Sequence, residues 1–202
     1  MVSKVSSKFY LPLLLVSKSP RRRDLLEKAG YQFESYSIEL SEIIDKNLNS
    51  FDQAKALARF KMEQFLEHFG AKSESYSYAL TFDTMVEFEG RSLGKPLDKN
   101  EALGWLLEYS GKTQKVHTGC CIYSFLDEKI CENWTSTTLV HFKSYGEKEA
   151  LEYLDSEPSF INKAGGYGIQ DPTFNLSSQI EGEYSNVVGL PLKDLAEKLK
   201  EN

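Results

Sequence analysis

The sequence predicts an α/β protein, in which a β-sheet packs against helices. Strand-like and helix-like segments alternate through the N-terminal half, and two long strand-like segments follow each other in the second half. Residues that start and stop helices separate these segments. With 202 residues, of which 41% are hydrophobic, the chain can bury a large core without disulfides or a structural metal. We expect a single domain over residues 1–202.

The N-terminal half is predicted to contain five main segments. In order, they are a strand over 9–16, a helix over 20–29, a strand near 33–38, a helix over 51–69 and a strand over 77–82. The first helix has the clearest boundaries, because Ser19 is a favourable N-cap, Pro20 suits the first helical position and Gly30 suits the end. The next segment, "MVEFEGRSL", is predicted to be a tight hairpin, since Gly90 can adopt a positive φ.

The second half is predicted to be mainly a long hairpin followed by helices. Asp98 caps a helix that runs to about residue 109. The later segments are strands over 114–125 and 129–142, a helix over 147–155, the glycine-rich "KAGGYGIQD" over 163–171 and a C-terminal helix from Pro191.

The composition argues against several classes of function. A formal net charge of -6 and a pI of about 5.2 do not favour binding to nucleic acid or to membrane surfaces. No apolar run approaches the roughly 18 residues of a transmembrane helix, and the run over 11–16 is too short for a secretory signal. We therefore expect a cytoplasmic protein that binds neither nucleic acid nor membrane.

The cysteines and histidines form no recognisable metal or disulfide pattern. Cys120, Cys121 and Cys131 are odd in number and lack CxxC spacing. We interpret them as reduced, packed thiols, with a nucleophilic role for one of them as the alternative. The three histidines are far apart, and no pair has the spacing of metal ligands on a helix.

The segment "VSKSPRRRDLLEKAG", residues 16–30, concentrates positive charge in an acidic protein. Its cations are Lys18, Arg21, Arg22 and Arg23. Where a strand enters a helix, free N–H groups and the positive end of the helix dipole favour an anion. Ser17 and Ser19 add hydroxyl groups, and the arginines add planar donors suited to phosphate. The segment predicts a polyphosphate site, and a solvated basic turn is the alternative.

Isolated charged residues elsewhere are compatible with such a site. Lys61 lies at the edge of an apolar helix stripe, where it either extends past the stripe to solvent or pairs with an anion. Asp83 follows the predicted strand over 77–82, at a position where α/β proteins often bind ligands, although it could simply form a turn. Glu42 could join Asp83, and two carboxylates near a polyphosphate suggest Mg²⁺ or Mn²⁺ and a base that activates water. Lys95 and the glycine-rich segment are weaker candidates.

Several ordered motifs give the chain a resemblance to the Maf family of nucleotide pyrophosphatases, named for septum formation inhibition. "VSKSPRRRDLLEKAG" resembles the family's S-x-S-P-R-R opening, and "TFDTMVEFEGRSLGKPLD" resembles its G-A-D-T…G-x-x-L-x-K-P segment. "KAGGYGIQD" resembles K-A-G-A-Y-G-I-Q-G, and "FESYSIELSE", "ALARFKMEQF" and "IEGEYSNVVGLPL" match in order. Two departures are that Thr81-Phe82 replaces Gly-Ala and that Ser41 replaces an acidic residue.

The resemblance implies a fold and an activity. The fold is α/β, with a central mixed β-sheet flanked by helices and two lobes around an active-site cleft, similar to Maf and ITPase-like proteins. The activity is hydrolysis of a nucleoside triphosphate, dTTP or UTP and possibly modified pyrimidine nucleotides, to the monophosphate and pyrophosphate with Mg²⁺ or Mn²⁺. A homodimer is common in such folds.

The resemblance also implies residue roles, position by position. Asp83 is the proton acceptor and, with Glu42, a metal ligand. Base choice falls to three positions, Arg21, Thr84 and Gln170. The phosphate-binding positions are Ser17, Ser19, Arg22, Lys61 and Lys95.

Two other functions stay open at this point. One is a nucleotide-binding regulator of cell division with little turnover, and the other is a phosphatase that removes single phosphates. The products distinguish them, since the pyrophosphatase releases pyrophosphate, the regulator releases nothing and the phosphatase releases orthophosphate.

Overall fold

The computed structural model describes residues 11–37 and 48–201, which form one seven-stranded sheet with helices on its faces. The strands are β1 (Leu13–Val16), β2 (Phe33–Tyr36), β3 (Tyr78–Phe88), β4 (Arg91–Leu93), β5 (Thr113–Ser124), β6 (Lys129–Phe142) and β7 (Ser177–Glu181). The helices are α1 (Pro20–Lys28), α2 (Ser50–Phe69), α3 (Lys99–Tyr109), α4 (Glu147–Ser156), α5 (Tyr184–Val188) and α6 (Leu192–Glu201). Two short 3₁₀ turns, Pro158–Asn162 and Ala164–Gly166, follow α4.

The sheet is mixed, as predicted for the fold class. Its order is β2-β1-β3-β5-β6-β7, and β4 pairs with β3 off this path. β1 runs parallel to both β2 and β3, whereas the β3–β4, β3–β5, β5–β6 and β6–β7 pairs are antiparallel. Because β5 occupies one edge of β3, β1 and β4 must share its other edge.

That shared edge of β3 contains a gap. β1 pairs with β3 at Ala79 and Leu80, and β4 pairs with it from Val86 to Phe88. Within the described ranges, no strand pairs with this edge over residues 81–85, although β5 pairs with the same residues from the other side. At about 3.3 Å per residue the gap is about 16 Å long. A ligand could therefore approach the backbone of β3 where the sheet is locally open.

The predicted end of this strand at residue 82 was wrong. β3 continues through Asp83 to Phe88, so Asp83 lies in the middle of a strand. The charged side chain suggested an ending, but the antiparallel partner β5 extends the pairing from Tyr78 to Glu87. Long-range pairing therefore overrides the local signal of a charged residue.

The apolar core is divided between the two ends of the long strands. One cluster contains Val86 and Phe88 of β3 with residues of α3 and α4. At the other end, Leu13 and Leu15 of β1 belong to one cluster, and Leu14 belongs to another on the opposite face of the sheet. The gap in β3 lies between these ends.

Most other predicted elements are confirmed, with shifts at the ends. Asp98 caps α3 by accepting from the Glu101 amide at 2.9 Å, and Glu89 and Gly90 both have positive φ in the β3–β4 turn. β1 begins at residue 13, and β2 ends at residue 36; the first ten residues lie outside the described ranges. β7 and the short α5 were not predicted. Within the described residues, no helix combines the length and apolar character needed to cross a membrane.

Candidate active site

A cleft of about 910 Å³ opens beside the gap in β3. Its walls come from the start of α1, one face of α2, the middle of β3, the segment after β4 and the glycine-rich loop, by which we mean residues 163–171. Most of the candidate site residues line it: Ser19, Arg21, Arg22, Lys61, Asp83, Thr84, Lys95 and Gln170. The volume falls in the range of small-molecule sites. The fold thus collects residues from distant segments around one cavity.

Lys61 and Asp83 form an ion pair in the cleft wall. The Lys61 Nζ lies 2.5 Å from Asp83 Oδ1, and both side chains are largely buried. Lys61 is positioned by α2, and Asp83 by β3, whose backbone is fixed by its pairing with Gly119 of β5. The predicted inward lysine with an anionic partner is therefore present. The ion pair fixes the orientation of the Asp83 carboxylate, which still lines the cleft.

Arg22 is held by partners from three parts of the chain. Its Nε donates to the Gly189 carbonyl at 2.7 Å, while its terminal nitrogens donate to Ser17 Oγ at 3.3 Å and Thr84 Oγ1 at 3.1 Å. The guanidinium carbon also lies 5.6 Å from the centre of the Phe82 ring, within the range of a cation–π contact. Arg22 is thus a fixed cation that joins the start of α1 to the segment after α5.

The unusual Thr81-Phe82 pair has a structural role. Thr81 Oγ1 donates to the Ala58 carbonyl of α2 at 2.7 Å, in a fully buried contact. Phe82 points to the other face of β3, where its ring underlies Arg22. These two side chains therefore tie the middle of β3 to α2 on one side and to Arg22 on the other.

The start of α1 lines the cleft, but its N-cap residue lacks the usual hydrogen bond from a backbone amide to its side chain. Ser19 has the extended backbone of an N-cap residue without a side-chain cap hydrogen bond, and it lines the cleft with Arg21. Ser17 does not line the cleft. Its Oγ accepts from the Ser19 amide at 3.2 Å and from Arg22, so Ser17 supports the residues that do.

The glycine-rich loop forms the opposite wall, and buried polar contacts hold it. The Gly165 amide donates to the Gly94 carbonyl at 2.9 Å, next to Lys95. The Tyr167 hydroxyl donates to Gln114 Oε1 at 2.6 Å, in a buried contact. Gln170 is exposed at the end of the loop and faces the cleft.

Sequence reasoning missed several residues of the cleft. Among those lining it are Asn49, Ser50, Gln53, Glu87 and Ser92. Gln53 could have been found, since it precedes Leu57 and Lys61 at intervals of four on the buried face of α2. Glu87 could also have been found, because it lies on the same face of β3 as Asp83. The remaining residues carry no such pattern.

Glu87 lies in a small polar cluster at one end of the cleft. A hydrogen bond from Lys115, at 2.8 Å, lowers the pKa of Glu87. His117 lies 3.5 Å from Glu87, and its burial lowers the pKa of the imidazole despite this nearby carboxylate. We therefore expect a charged Glu87 and a neutral His117 near pH 7.

The described residues fit a metal bound mainly through a substrate. They contain no group of three or more His, Cys, Asp or Glu side chains arranged to hold a metal ion. Asp83 is the candidate ligand within them, and Glu42 lies outside the described ranges. Mg²⁺ commonly takes one or two carboxylates and completes its shell with phosphate oxygens and water. A carboxylate in a cleft rich in cations is compatible with that mode.

The three cysteines are free thiols in the structure. Cys120 and Cys121 are buried, and burial raises the pKa of Cys121 to about 12. Burial likewise raises the pKa of Cys131. Such thiols are poor nucleophiles at neutral pH, which favours the interpretation as packed side chains.

Comparisons with known proteins agree over nearly the whole chain. A family model described as "Maf-like protein" matches residues 12–202. The dTTP/UTP pyrophosphatase of Bdellovibrio bacteriovorus is 38% identical, over 93% of this chain and 96% of its own. The proteins of the same name from Chlorobium phaeovibrioides and Carboxydothermus hydrogenoformans are each 37% identical, covering 90% and 95% of this chain and 92% and 98% of their own.

One solved structure also aligns with the chain. It is a HAM1 protein from Coxiella burnetii, and the alignment covers 95% of this chain and 100% of that one. The TM-score is 0.45 and the identity is 14%, values too low to support an argument.

Proposed function

Because the chain belongs to the Maf-like protein family, we propose that it is a nucleoside triphosphate pyrophosphatase acting on dTTP and UTP. The three relatives described above carry this name, and their alignments cover 90% or more of this chain at 37–38% identity. The reaction cleaves the bond between the α- and β-phosphates and gives the monophosphate and pyrophosphate.

The Lys61–Asp83 pair is the observation that carries this proposal. A carboxylate held at 2.5 Å by a lysine, in a cleft that also contains Arg21 and Lys95, places a base among cations. A triphosphate needs cations around its oxygens, and hydrolysis needs an oriented water. A site for a neutral ligand would need neither.

The reaction can be assigned to residues of this chain. Asp83 orients a water and accepts its proton as the water oxygen attacks the α-phosphorus. Arg22, Lys61 and Lys95 neutralise the phosphate oxygens, and the pyrophosphate leaves with the electrons of the broken P–O bond. Mg²⁺ or Mn²⁺, held by Asp83 and Glu42 with phosphate oxygens, would supply further charge neutralisation.

Base choice is assigned to Gln170 of the glycine-rich loop, together with Arg21 of α1 and Thr84 of β3. Gln170 is exposed to the cleft, so its amide can meet the O4 acceptor and N3–H donor that uracil and thymine share. Arg21 can donate to an acceptor of the base or sugar. The Thr84 hydroxyl already contacts Arg22 and Thr118, so its contribution is to set the position of Arg22. Such a site penalises a base that leaves its polar groups unpaired.

Product analysis tests the proposal directly. The protein is incubated with UTP, dTTP, the purine triphosphates and 7-methyl-GTP in the presence of Mg²⁺ or Mn²⁺, and the nucleotide and phosphate products are separated. We expect UMP and dTMP with pyrophosphate, and a higher kcat/KM for these two substrates. Orthophosphate as the first product, or nucleotide binding without turnover, would contradict the activity. A preference for 7-methyl-GTP would contradict only the base assignment.

Two further expectations accompany this function. A cytoplasmic location and a homodimer stay predictions. Cell fractionation checks the first, and light scattering of the purified protein checks the second.

A further inference from the structure

A buried ion pair lies at the base of the glycine-rich loop. The Lys163 Nζ lies 2.6 Å from Asp171 Oδ1 and 2.5 Å from Asp171 Oδ2, so the carboxylate binds the ammonium with both oxygens. The side chains are 8% and 9% exposed. Buried charges are costly unless they are paired. This pair therefore joins the two ends of the loop, which lie eight residues apart in the sequence.

Tyr153 of α4 extends the pair into the backbone of the loop. Its hydroxyl donates to Asp171 Oδ2 at 2.6 Å and accepts from the Gly168 amide at 2.9 Å. Burial, followed by the hydrogen bond to Asp171, raises the pKa of Tyr153. The hydroxyl therefore stays protonated and keeps both contacts.

The middle of the loop folds closely over this carboxylate. The Asp171 amide donates to the Gly168 carbonyl at 3.0 Å. A Cβ on Gly168 would lie 2.6 Å from both Asp171 carboxylate oxygens, so a side chain there would displace the carboxylate from this position. The Asp171 carboxylate thus lies directly against Gly168, in the turn that carries Gln170.

Lys163 lines the cleft, so it could instead be a ligand for the triphosphate. The geometry argues against this, because the Lys163 side chain is 8% exposed and its charge is matched by a bidentate carboxylate. Moving it to a phosphate would leave Asp171 buried without its cation, at a cost of several kcal/mol. Its position instead favours a role in the structure of the loop.

We propose that Asp171 is a positioning residue for base choice, acting through Lys163, Tyr153 and Gly168 on the neighbouring Gln170. A glutamine amide has a donor at one end and an acceptor at the other, so it can match uracil or cytosine according to how it is turned. To discriminate between these bases, the Gln170 amide must be held in one orientation, and this requires a fixed backbone at Gln170. This inference rests on the proposed function, and it concerns how the same site selects its pyrimidine.

The test compares base discrimination in variants of this network. Asp171→Asn keeps the shape and removes the charge, and Tyr153→Phe removes only the hydroxyl that links Asp171 to Gly168. The matched control is Glu157→Gln, because the Glu157 carboxylate also lies near Lys163, at 3.9 Å, but accepts a hydrogen bond from Ser159, which precedes the loop. The readout is the ratio of kcat/KM for UTP to kcat/KM for CTP, with the thermal midpoint Tm measured alongside.

We expect this ratio to fall in both network variants and to stay unchanged in the control. Since a misplacement of a substrate-positioning group by about 1 Å can cost about 10²-fold in rate, we expect the ratio to fall by about tenfold. Hydrogen exchange at the Gly168 amide should speed up in Tyr153→Phe, because that amide loses its acceptor.

The outcomes separate the two proposals. A wild-type protein that does not hydrolyse UTP overturns the proposed function and this inference with it. If the wild type is active, an equal loss for UTP and CTP in Tyr153→Phe makes the network a source of stability only and overturns the inference alone. Tyr153→Phe keeps the ion pair, so the test does not depend on whether Asp171→Asn folds.

Discussion

Single side chains in the cleft depend on partners that are remote in sequence. The bond from Arg22 to the Gly189 carbonyl spans 167 residues, and the bond to Thr84 spans 62. The Lys61–Asp83 pair joins a helix to a strand. Each contact is stronger than it would be in water, because its charged group is partly shielded from solvent. A substitution here should therefore act on catalysis and on folding together, and the two effects need separate measurements.

Asp83→Asn should remove most turnover and keep nucleotide binding. The amide has nearly the same shape but cannot accept a proton, and loss of a general base commonly costs about 10²–10⁴-fold in rate. Lys61 would also lose its ion pair with the Asp83 carboxylate, so we expect a lower Tm. The measurements are kcat under saturating UTP, nucleotide affinity by calorimetry and Tm by scanning fluorimetry. Turnover close to that of the wild type would show that another group is the base.

Arg22→Ala should raise KM and lower kcat, and Arg22→Lys should restore little of the loss. One lysine ammonium cannot reproduce three directed bonds to Gly189, Ser17 and Thr84. Because these bonds position the wall of the cleft, both kinetic parameters should respond. Steady-state kinetics of the two variants check this. Full activity in Arg22→Lys would mean that charge alone matters at this position.

At the scale of elements, the key contact is the close approach of α2 to β5. A Cβ on Gly119 of β5 would lie 1.9 Å from the Ala54 carbonyl of α2. The same strand residue pairs with Asp83 of β3, and α2 carries Lys61. The absence of a side chain at Gly119 thus lets α2 approach the sheet closely, which brings Lys61 near Asp83 of the adjacent strand.

Gly119→Ala should destabilise the protein strongly. The added methyl meets backbone atoms of α2, which cannot move aside as a flexible side chain would, so we expect a loss of about 3 kcal/mol or more. For a domain of this size this corresponds to a fall in Tm of about 6–12 °C. Denaturant unfolding gives the free energy.

Gly104→Ala is the matched control for this substitution. Gly104 lies in α3, is exposed, and has no atom within 4 Å of an added Cβ. Alanine is favoured over glycine inside a helix by about 1 kcal/mol, so this variant should be slightly more stable. A similar loss in both variants would mean that the contact with α2 is not the cause.

The same scale shows what the sequence could predict. Helices such as α2 and α3 were predicted closely, because their apolar spacing and caps are local signals. β7 was missed, since "SSQIE" has little apolar character and is a strand only because it pairs with the end of β6. β3 was predicted too short for a related reason, because its second half depends on pairing with β5 and β4.

At the scale of the whole molecule, the motifs predicted the members of the cleft better than they predicted its contacts. The ordered segments indicated residues such as Arg21, Lys61 and Gln170, which the fold brings to one cavity. They could not indicate that Ser17 lies behind Arg22, or that Lys163 pairs with Asp171. These contacts depend on strand order and loop closure, which a single sequence specifies only through the folded structure.

The free energy of unfolding should depend on pH through His117. Its side chain is 5% exposed, its Nδ1 lies 2.8 Å from Thr137 Oγ1, and Phe51 packs against it. Burial lowers its pKa below the usual 6.5, although Glu87 opposes this shift, while Lys115 adds to it. The unfolded chain therefore binds a proton more readily than the folded one, and stability should fall as the pH drops below about 6.5.

His117→Gln should flatten this dependence between about pH 7 and 5.5. For one proton the slope cannot exceed about 1.4 kcal/mol per pH unit, so the change is measurable by urea unfolding at several pH values. His68→Gln is the control, because that histidine is exposed on α2. The lowered pKa of Glu87 acts in the same direction, but only as the pH falls below about 4.5, so a dependence that survives in His117→Gln down to pH 5.5 cannot come from that carboxyl. An unchanged slope in His117→Gln would place the responsible group elsewhere.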